Sequence, residues 1–487
     1  MKVAHILLLL ASLATAIGMV FPICWTLSIL GLAVFFYLIL DRIPSVLQAG
    51  WYGLFFGVVT GGAGILWFWD AYPLTFLGIT NSTIGLVMVG LTWLYVSVSL
   101  GVAVAFFSIG VWYLRTWMWT PLLIPVLWMI TEEARMWGYT FFTYGPGSLI
   151  GAHFSPSSIG YLLSENSYLL QLAFPFGLLA LNTAAALIAV ALMVLYRSTT
   201  RVVRSVIFAA LLVVLLLPLA TTYRDTGEAQ TLIRVAVVGT DGPADNPTLG
   251  SAQARELLKA SAEDHAIELI VLPEVLGFTR MFGNYETGLE TIRSWFGTRD
   301  VLVASSEKVP AGDGFVEQLV YTSTQSGRVS EYTKMLLIPL GEYTPSFSTV
   351  LYALITDEGV RAYFNNLHSY GLSAGTEVTP VTYNHVTIGG LLCSDLLSPQ
   401  LYHTLVKRDH SKLLISLSNQ YWFHGSHILF DKTLQMARVR AVQDHVPLVL
   451  ANNAAPSFIL DPTGRVMRQS HWHTPEVLVH EVPITLP

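Results

Sequence analysis

Long apolar runs and short alternating runs divide this chain into two parts. Up to residue 222, apolar runs long enough to cross a bilayer follow one another, and each needs about 20 residues to do so. The run 82–113 is long enough to hold one tilted helix with an amphipathic extension, which leaves the count open by one. We predict seven membrane helices, at 4–20, 22–40, 50–69, 82–113, 118–134, 167–195 and 204–221.

From residue 231 onward, short β-rich runs alternate with helix-like stretches, which is typical of an α/β domain with one core. A short linker at 221–230 separates this part from the apolar part. The pattern predicts strands at 231–240, 267–274, 300–307, 317–324, 386–394, 412–419, 447–453 and 457–462, and helices at 251–265, 284–295, 398–409 and 430–444. We therefore expect a transmembrane helical domain over 1–222 and a catalytic α/β domain over 223–487.

Composition supports this division and excludes several classes of protein. Hydrophobic residues make up 53% of the 487 residues and charged residues 12%, whereas soluble chains are about 25% charged. Only 12 of the 58 Asp, Glu, Lys and Arg residues precede residue 223. The net charge of −6 gives no polycationic face, so nucleic acid is not an expected partner.

The distribution of Lys and Arg predicts the orientation in the membrane, because these residues concentrate in cytoplasmic loops. With the N-terminus inside, only Arg135 falls outside, while six basic residues fall inside: Lys2, Arg42, Arg115, Arg197, Arg201 and Arg204. This predicts a multi-pass protein of the bacterial inner membrane whose second half faces the periplasm. The N-terminus resembles a signal peptide with a site at Ala14–Ala16, but we expect its retention because another apolar span follows at once.

Three positions in the second half carry candidate chemistry. Glu274 ends the apolar strand VLPE, Lys334 lies in EYTKMLLIPLGEYTP, and Cys393 ends IGGLLC. Reactive residues directly after buried strands are how α/β folds present catalytic groups. A thiol needs a base and a positive neighbour to attack at neutral pH, which a carboxylate and a lysine can supply. Taken singly, a surface glutamate, a solvated lysine and a buried structural cysteine are the more ordinary interpretations.

The same part of the sequence shows neither a zinc-ligand cluster nor a phosphate-binding loop, so we expect no metal or nucleotide cofactor. Cys24, the only other cysteine, lies in an apolar run of the first half, and we predict no disulfide framework.

The sequence around these positions resembles that of the Glu–Lys–Cys nitrilase (carbon–nitrogen hydrolase) superfamily. With the helices in front, nearly the whole chain is similar to the membrane-bound apolipoprotein N-acyltransferases. The lysine motif is matched by Tyr332, Lys334, Pro339, Leu340, Gly341, Glu342, Tyr343 and Pro345. Further matches are Asn419, Trp422 and Phe423, then Gln435, Arg438, Arg440 and Ala441, and in the first half Trp128, Glu132 and Arg135.

The resemblance implies an α-β-β-α sandwich behind the membrane helices. It makes Glu274 the general base, Lys334 the oxyanion stabiliser, Cys393 the nucleophile and Glu342 a second essential carboxylate. An acyl chain would pass from a phospholipid to the cysteine as a thioester, and then to the α-amino group of a lipoprotein's diacylglyceryl-cysteine. Splitting the transfer in this way makes each step easier.

Further residues are expected to support the site or bind substrate. The backbone N–H of Ser394 can join Lys334 around the oxyanion. Asp395 supplies a carboxylate beside the nucleophile, and Tyr343 belongs to the lysine motif. The ring of Trp422 can clamp an acyl chain, although core packing explains it equally well.

Three departures from the family pattern bear on substrate recognition. Ser394 and Asp395 replace the usual Tyr-Glu after the nucleophile. The Gln-Gly-Asn run after the first soluble strand is replaced by residues 238–241, Val-Gly-Thr-Asp. The family commonly ends with a further membrane helix, whereas the last residues here, EVLVHEVPITLP, contain no such apolar run.

Two local patterns allow different interpretations. Trp128, Glu132 and Arg135 can share one helix face, where the Glu–Arg pair either locks helices together or contacts substrate; the structural lock is the stronger expectation. The apolar residues of LGFTRMFGNYETG (276–288), directly after Glu274, suit a mobile lid over a lipid substrate.

Three functions are compatible with these residues. The first is acyl transfer to the amine of a lipoprotein by a membrane-bound N-acyltransferase. The second is a membrane-anchored amidase in which water resolves the thioester on the same triad. The third is a transporter or scaffold with an inactive enzyme domain, which the intact triad and the scarcity of intramembrane charges argue against. A monomer is the simplest expectation.

Overall fold

The computed structural model describes residues 2–197, 200–221, 230–243, 246–312, 314–348 and 358–485, which form two compact units. The first comprises Met1–Trp69, Val87–Phe142 and Ile150–Thr222. The second comprises Asp70–Leu86, Thr143–Leu149 and Tyr223–Pro487. The predicted linker at 221–230 and the predicted boundary after residue 222 lie, apart from the end residues 221 and 230, outside the described ranges.

Seven long helices occupy the first half of the chain, as the apolar pattern predicts. They are α1 (Lys2–Val20), α2 (Trp25–Asp41), α3 (Val46–Gly64), α4 (Ser82–Leu114), α5 (Thr120–Phe142), α6 (Leu178–Tyr196) and α7 (Arg201–Thr221). Among the described residues, five helices are apolar and long enough to cross a membrane: α1, Pro22–Asp41, α4, α6 and Arg201–Ala220. The other two differ in composition, since α3 is rich in glycine and α5 carries three charges around its middle.

The glycines of α3 allow a close approach to α4. A Cβ at Gly57 would lie 2.7 Å from the Cα atom of Gly101, a distance that forces one backbone to move. Small residues at such crossings let membrane helices pack through van der Waals contact. Helix α3 is therefore stabilised by close packing against α4, which its apolar pattern alone does not predict.

The predicted helix at 167–195 begins later than its apolar residues suggest. Residues Ser167–Leu170 form one short turn capped by the side chain of Asn166, and the long helix starts only at Leu178. Pro175 lacks a backbone N–H, and Gly177 has φ +58°, a conformation that an α-helix does not contain. The prediction is thus wrong for the residues between these two helices.

The second unit contains two six-stranded mixed sheets. One has the order β12-β1-β2-β3-β4-β5 and the other β11-β10-β9-β8-β7-β6. The strands are β1 (Gln230–Gly239), β2 (Leu269–Val271), β3 (Leu302–Ala311), β4 (Gly314–Ser323), β5 (Gly327–Thr333), β6 (Val381–Tyr383), β7 (Val386–Leu392), β8 (Leu413–Asn419), β9 (Leu448–Asn453), β10 (Phe458–Leu460), β11 (Val466–Gln469) and β12 (Glu476–Thr485).

Each sheet has three parallel strands at its centre and antiparallel strands at its edges. The parallel strands are β1, β2 and β3 in one sheet, and β7, β8 and β9 in the other. The helices of this unit are α8 (Pro247–Ser261), α9 (Phe278–Phe282), α10 (Tyr285–Phe296), α11 (Glu358–Tyr370), α12 (Pro399–Lys407) and α13 (His427–Asp444). This is the sandwich of two sheets and flanking helices that the family resemblance implies.

The carboxyl ends of the central strands from both sheets meet. The backbone N–H of Glu274 donates to the carbonyl of Ser418 at 3.4 Å, and that of Thr240 donates to the carbonyl of Asn452 at 3.2 Å. Residues that follow β2, β7 and β8 are therefore brought together at one edge, where α/β sheets usually hold their sites.

Candidate active site

The three residues singled out from the sequence lie together at this edge. Glu274 follows β2, Cys393 follows β7 directly, and Lys334 follows β5 directly. Glu274 is 5% exposed and Lys334 is fully buried. A buried lysine requires charged partners, since taking an isolated ammonium out of water is very costly.

Two carboxylates bind the ammonium group of Lys334. Its Nζ atom lies 2.9 Å from Oε1 of Glu274 and 2.6 Å from Oε1 of Glu342. The other oxygen of Glu342 accepts the backbone N–H of Ile338 at 2.8 Å. Burial lowers the pKa of Lys334, but the two carboxylates outweigh it and hold that pKa well above its usual value. Lys334 thus carries a permanent positive charge.

Cys393 occupies a strained position next to this pair. It has φ +41°, in the left-handed region that residues with a Cβ rarely adopt, and it opens the helical turn Cys393–Leu397. Its thiol lies close enough to the Glu274 carboxyl and to the backbone N–H of Asn419 for both groups to act on its pKa. Burial and the neighbouring Glu274 carboxylate raise the pKa of the thiol, so it is protonated at rest.

Glu274 is suited to remove that proton. Burial raises the pKa of its carboxyl, and the charge of Lys334 opposes this effect. A carboxylate with a raised pKa is a stronger base than an exposed one, and it is already in contact with the thiol. The three groups can therefore pass a proton from sulfur to carboxylate while a cation stands next to both.

The two residues after Cys393 are buried. Both oxygens of Asp395 accept hydrogen bonds, from the N–H of Leu336 at 2.7 Å, the N–H of Leu392 at 3.1 Å and the hydroxyl of Tyr332 at 2.9 Å. The Ser394 hydroxyl donates to the carbonyl of Leu336. Burial raises the pKa of Asp395 to about 6. These contacts join the lysine segment to the cysteine turn.

The sequence analysis did not single out Glu317, a further buried carboxyl of this site. Glu317 lies in β4, is 5% exposed, and its Oε1 atom accepts the hydroxyl of Ser306 at 2.6 Å. Burial, followed by repulsion from Glu274, raises its pKa to about 7. A single acidic residue within an otherwise ordinary strand gives no signal in one sequence.

Two segments that lie between membrane helices in the sequence belong to the catalytic unit and contact its site residues. The hydroxyl of Tyr343 donates to the carbonyl of Thr143 at 2.8 Å. The ring of Phe76 meets that of Trp422 edge-on, with centroids 5.4 Å apart, and it also contacts Tyr421. Trp422 is partly exposed, so its ring is not part of a closed core.

Asp70 anchors the first of these segments. Its carboxylate accepts the hydroxyl of Ser426, the residue that caps α13, and its backbone carbonyl contacts Nδ1 of His424 at 2.7 Å. His424 and Ser426 therefore hold this segment within the catalytic unit.

The Glu–Arg pair of α5 lies within the first unit and is almost completely buried. Nη1 of Arg135 is 3.0 Å from Oε2 of Glu132, and the guanidinium also donates to the carbonyl and the hydroxyl of Ser157. Ser158 donates to Glu132 at 2.9 Å and is bonded to Asn182 of α6. The pair joins α5, the segment before Ser167 and α6, as a structural lock does.

The predicted lid is wrong. Leu276, Phe278 and Met281 are 4%, 0% and 7% exposed, and they belong to the hydrophobic core between the sheet and α8 and α10. The short helix α9 follows Gly277, where a Cβ has no room against the carbonyl of Ser306. Apolar residues beside the site serve here to fix Glu274, not to cover substrate.

Comparison with known proteins identifies the family of this part of the chain. Residues 234–486 match the family model described as carbon–nitrogen hydrolase. An apolipoprotein N-acyltransferase from Pseudomonas putida is 26% identical over 510 aligned positions, which cover 98% of this chain and 90% of that protein. One from Aquifex aeolicus is 28% identical over 232 positions, which cover 46% of this chain and 47% of that protein. An amidase structure from Nesterenkonia aligns at 14% identity, with a TM-score of 0.36, over 52% of this chain and 90% of that one.

Proposed function

The chain belongs to the carbon–nitrogen hydrolase family, and from this premise we propose that it is an N-acyltransferase of lipoprotein maturation. In this proposal it takes an acyl chain from a phospholipid and transfers it to the α-amino group of an N-terminal diacylglyceryl-cysteine. The observation that carries the proposal is similarity to an apolipoprotein N-acyltransferase over 98% of the chain, helices included. A soluble amide substrate would not require seven such helices.

The first half of the reaction forms a thioester on Cys393. As sulfur attacks the ester carbonyl of the phospholipid, Glu274 accepts the thiol proton, and the developing oxyanion is stabilised by the ammonium of Lys334. When the tetrahedral intermediate collapses, the C–O bond breaks and the leaving alkoxide takes the proton from Glu274. Lysophospholipid departs and the acyl chain stays on sulfur.

The second half transfers the acyl chain to nitrogen. The neutral α-amine of the acceptor attacks the thioester carbonyl, Glu274 takes a proton from the attacking nitrogen, and the C–S bond breaks. The departing thiolate recovers that proton, which restores the resting Cys393 thiol. Glu342 keeps Lys334 in place throughout, because its Oε1 atom lies 2.6 Å from the ammonium group.

The setting of the reaction follows from the distribution of basic residues. We place the chain in the bacterial inner membrane with the helical domain at 1–222, and with the catalytic domain at 223–487 on the periplasmic side, acting as a monomer. Both substrates are anchored in the bilayer, which explains why a catalytic domain is joined to membrane helices.

Hydrolysis by the same groups has less support. Water in place of the amine would release a free fatty acid from the Cys393 thioester. The Pseudomonas putida relative that extends through the helical half is named an acyltransferase, and hydrolysis gives no role to those helices.

The test is an intact-mass measurement on the purified protein with defined phospholipids, beside Cys393→Ala. We expect a gain of one acyl chain that hydroxylamine removes and that the variant lacks. Adding a diacylglyceryl peptide should discharge the adduct onto its amine. Steady release of fatty acid with an unmodified peptide would identify a hydrolase, and an adduct on Cys393→Ala would refute the assigned nucleophile.

A further inference from the structure

The backbone directly after Glu274 is held in a strained conformation. Val275 has φ +66°, in the left-handed region that a β-branched residue adopts only when its surroundings impose it. Its N–H donates to the hydroxyl oxygen of Ser306 at 2.6 Å. Because Val275 adjoins Glu274, this contact fixes the direction in which the Glu274 side chain leaves the strand.

The orientation of Ser306 is set in turn by Glu317. A serine hydroxyl has one proton to donate, and that of Ser306 goes to Oε1 of Glu317 at 2.6 Å. Its lone pairs are then left for the N–H of Val275. Ser306 is 2% exposed and Glu317 5%, so water does not compete for either bond.

Glu317 is also tied to the lysine. Its backbone carbonyl accepts the N–H of Lys334 at 2.9 Å, because β4 and β5 are paired at this point. Glu317 thus contacts the segment that holds Glu274 through Ser306, and it contacts the segment that holds Lys334 through its own backbone.

We propose that Ser306 and Glu317 are positioning residues for Glu274, which hold the strained turn at Val275 so that the carboxylate meets both Cys393 and Lys334. The inference rests on the proposed function for the role of Glu274 as base. Neither residue touches substrate in this arrangement; both act through the backbone after the base.

A neutral substitution separates the hydrogen bond of Glu317 from its charge. The groups that face Glu317 are Glu274 after β2, Ser306 in β3, and Lys334 and Glu342 from the segment after β5. Burial and repulsion from the Glu274 carboxylate raise the pKa of Glu317 to about 7, so Glu317 is mostly protonated in the acid range while Glu274 is its charged neighbour. Glu317→Gln therefore tests the acceptor for Ser306 without removing a charge from the site at low pH.

The experiment measures alkylation of Cys393 by iodoacetamide in the purified full-length protein, across a pH series. Mass spectrometry of the peptides separates this signal from Cys24. Because no acyl donor is involved, the readout reports how well Glu274 activates the thiol. A matched control is Ser323→Ala, which removes an equally buried serine of β4 whose hydroxyl donates to Asp300 at the same 2.6 Å.

We expect Ser306→Ala to slow alkylation about tenfold, the value of one buried hydrogen bond, and Ser323→Ala to leave it unchanged. Glu317→Gln keeps an acceptor oxygen for Ser306, so its plateau rate should stay within about threefold of wild type. Glu317→Leu removes the acceptor and should match Ser306→Ala.

Equal rates for Ser306→Ala and Ser323→Ala would overturn the inference, as would alkylation of Glu317→Gln as slow as that of Glu317→Leu. Alkylation that is unaffected by Glu274→Gln would overturn it as well, because there would be no base to position. If the variants change alkylation as expected but the wild-type protein forms no thioester with phospholipids, the positioning role stands. Only the proposed function is then refuted.

Discussion

Replacing Glu132 by Gln tests whether the buried pair of α5 locks helices together or contacts substrate. Glu132 and Arg135 are 1% and 3% exposed, and their side chains are joined at 3.0 and 3.1 Å. The substitution keeps the shape and one acceptor oxygen but removes the negative charge. It leaves the guanidinium of Arg135 buried without a negatively charged partner, among neutral acceptors such as the carbonyl and hydroxyl of Ser157.

The magnitude follows from the burial of the pair. Removing one partner of a buried ion pair costs about 3–5 kcal/mol, because the remaining charge stays out of water. For a unit of this size, that loss lowers Tm by about 6–20 °C. The pair between Arg197 and Asp41 supplies a control, since its side chains are 19% and 27% exposed and Asp41→Asn should cost less than about 1 kcal/mol.

The assay follows thermal unfolding of the detergent-solubilised protein by circular dichroism, with thioester formation measured well below Tm. A lock predicts a large fall in Tm for Glu132→Gln with activity retained in the folded fraction. Adding Arg135→Gln should recover part of the loss, since no unpaired charge remains. A Tm no lower than that of Asp41→Asn, or lost activity at an unchanged Tm, would refute the lock and favour substrate contact.

Three further outcomes are expected. Lys334→Met should slow thioester formation on Cys393 at least about a hundredfold, because an oxyanion stabiliser is lost, and a rate within tenfold of wild type on intact-mass time courses would contradict that role. The rate of thioester formation should fall as the pH drops through the pKa of Glu274, which burial raises, so the acid limb of a pH–rate profile should lie above the usual glutamate value of about 4.3. Tyr343→Phe removes the bond to the carbonyl of Thr143 and should speed hydrogen exchange in residues 143–149, with Tm lowered by no more than a few degrees; unchanged exchange would show that other contacts hold this segment.

The central strands could be predicted because they are buried on both faces. The runs that became β1, β2, β7, β8 and β9 are continuous and apolar, as parallel strands between two layers usually are. Four edge strands could not be predicted, because they are short or carry exposed polar residues: β5, β6, β11 and β12. Strand β11, for instance, is almost entirely exposed. Their pairing depends on neighbours distant in sequence, which the local pattern does not contain.

The site divides in the same way. Glu274 and Cys393 end apolar runs and stand out for that reason, and Lys334 stands out only through its motif, because the strand before it was not predicted. Ser306 and Glu317 lie inside strands, where nothing in the neighbouring sequence indicates which residue a polar side chain will contact. The apolar residues after Glu274 predict a lid as readily as a core, since hydrophobicity alone does not state which surface covers a side chain.

The catalytic unit is discontinuous along the chain, because it includes Asp70, Phe76 and Thr143. They are synthesised long before Glu274, yet they pack against Ser426, Trp422 and Tyr343, respectively. The enzyme is therefore discontinuous along its own gene, and a fragment beginning after residue 222 would encode a sandwich without two of its segments. Transfer of this domain to another protein would therefore have to include residues 70–86 and 143–149.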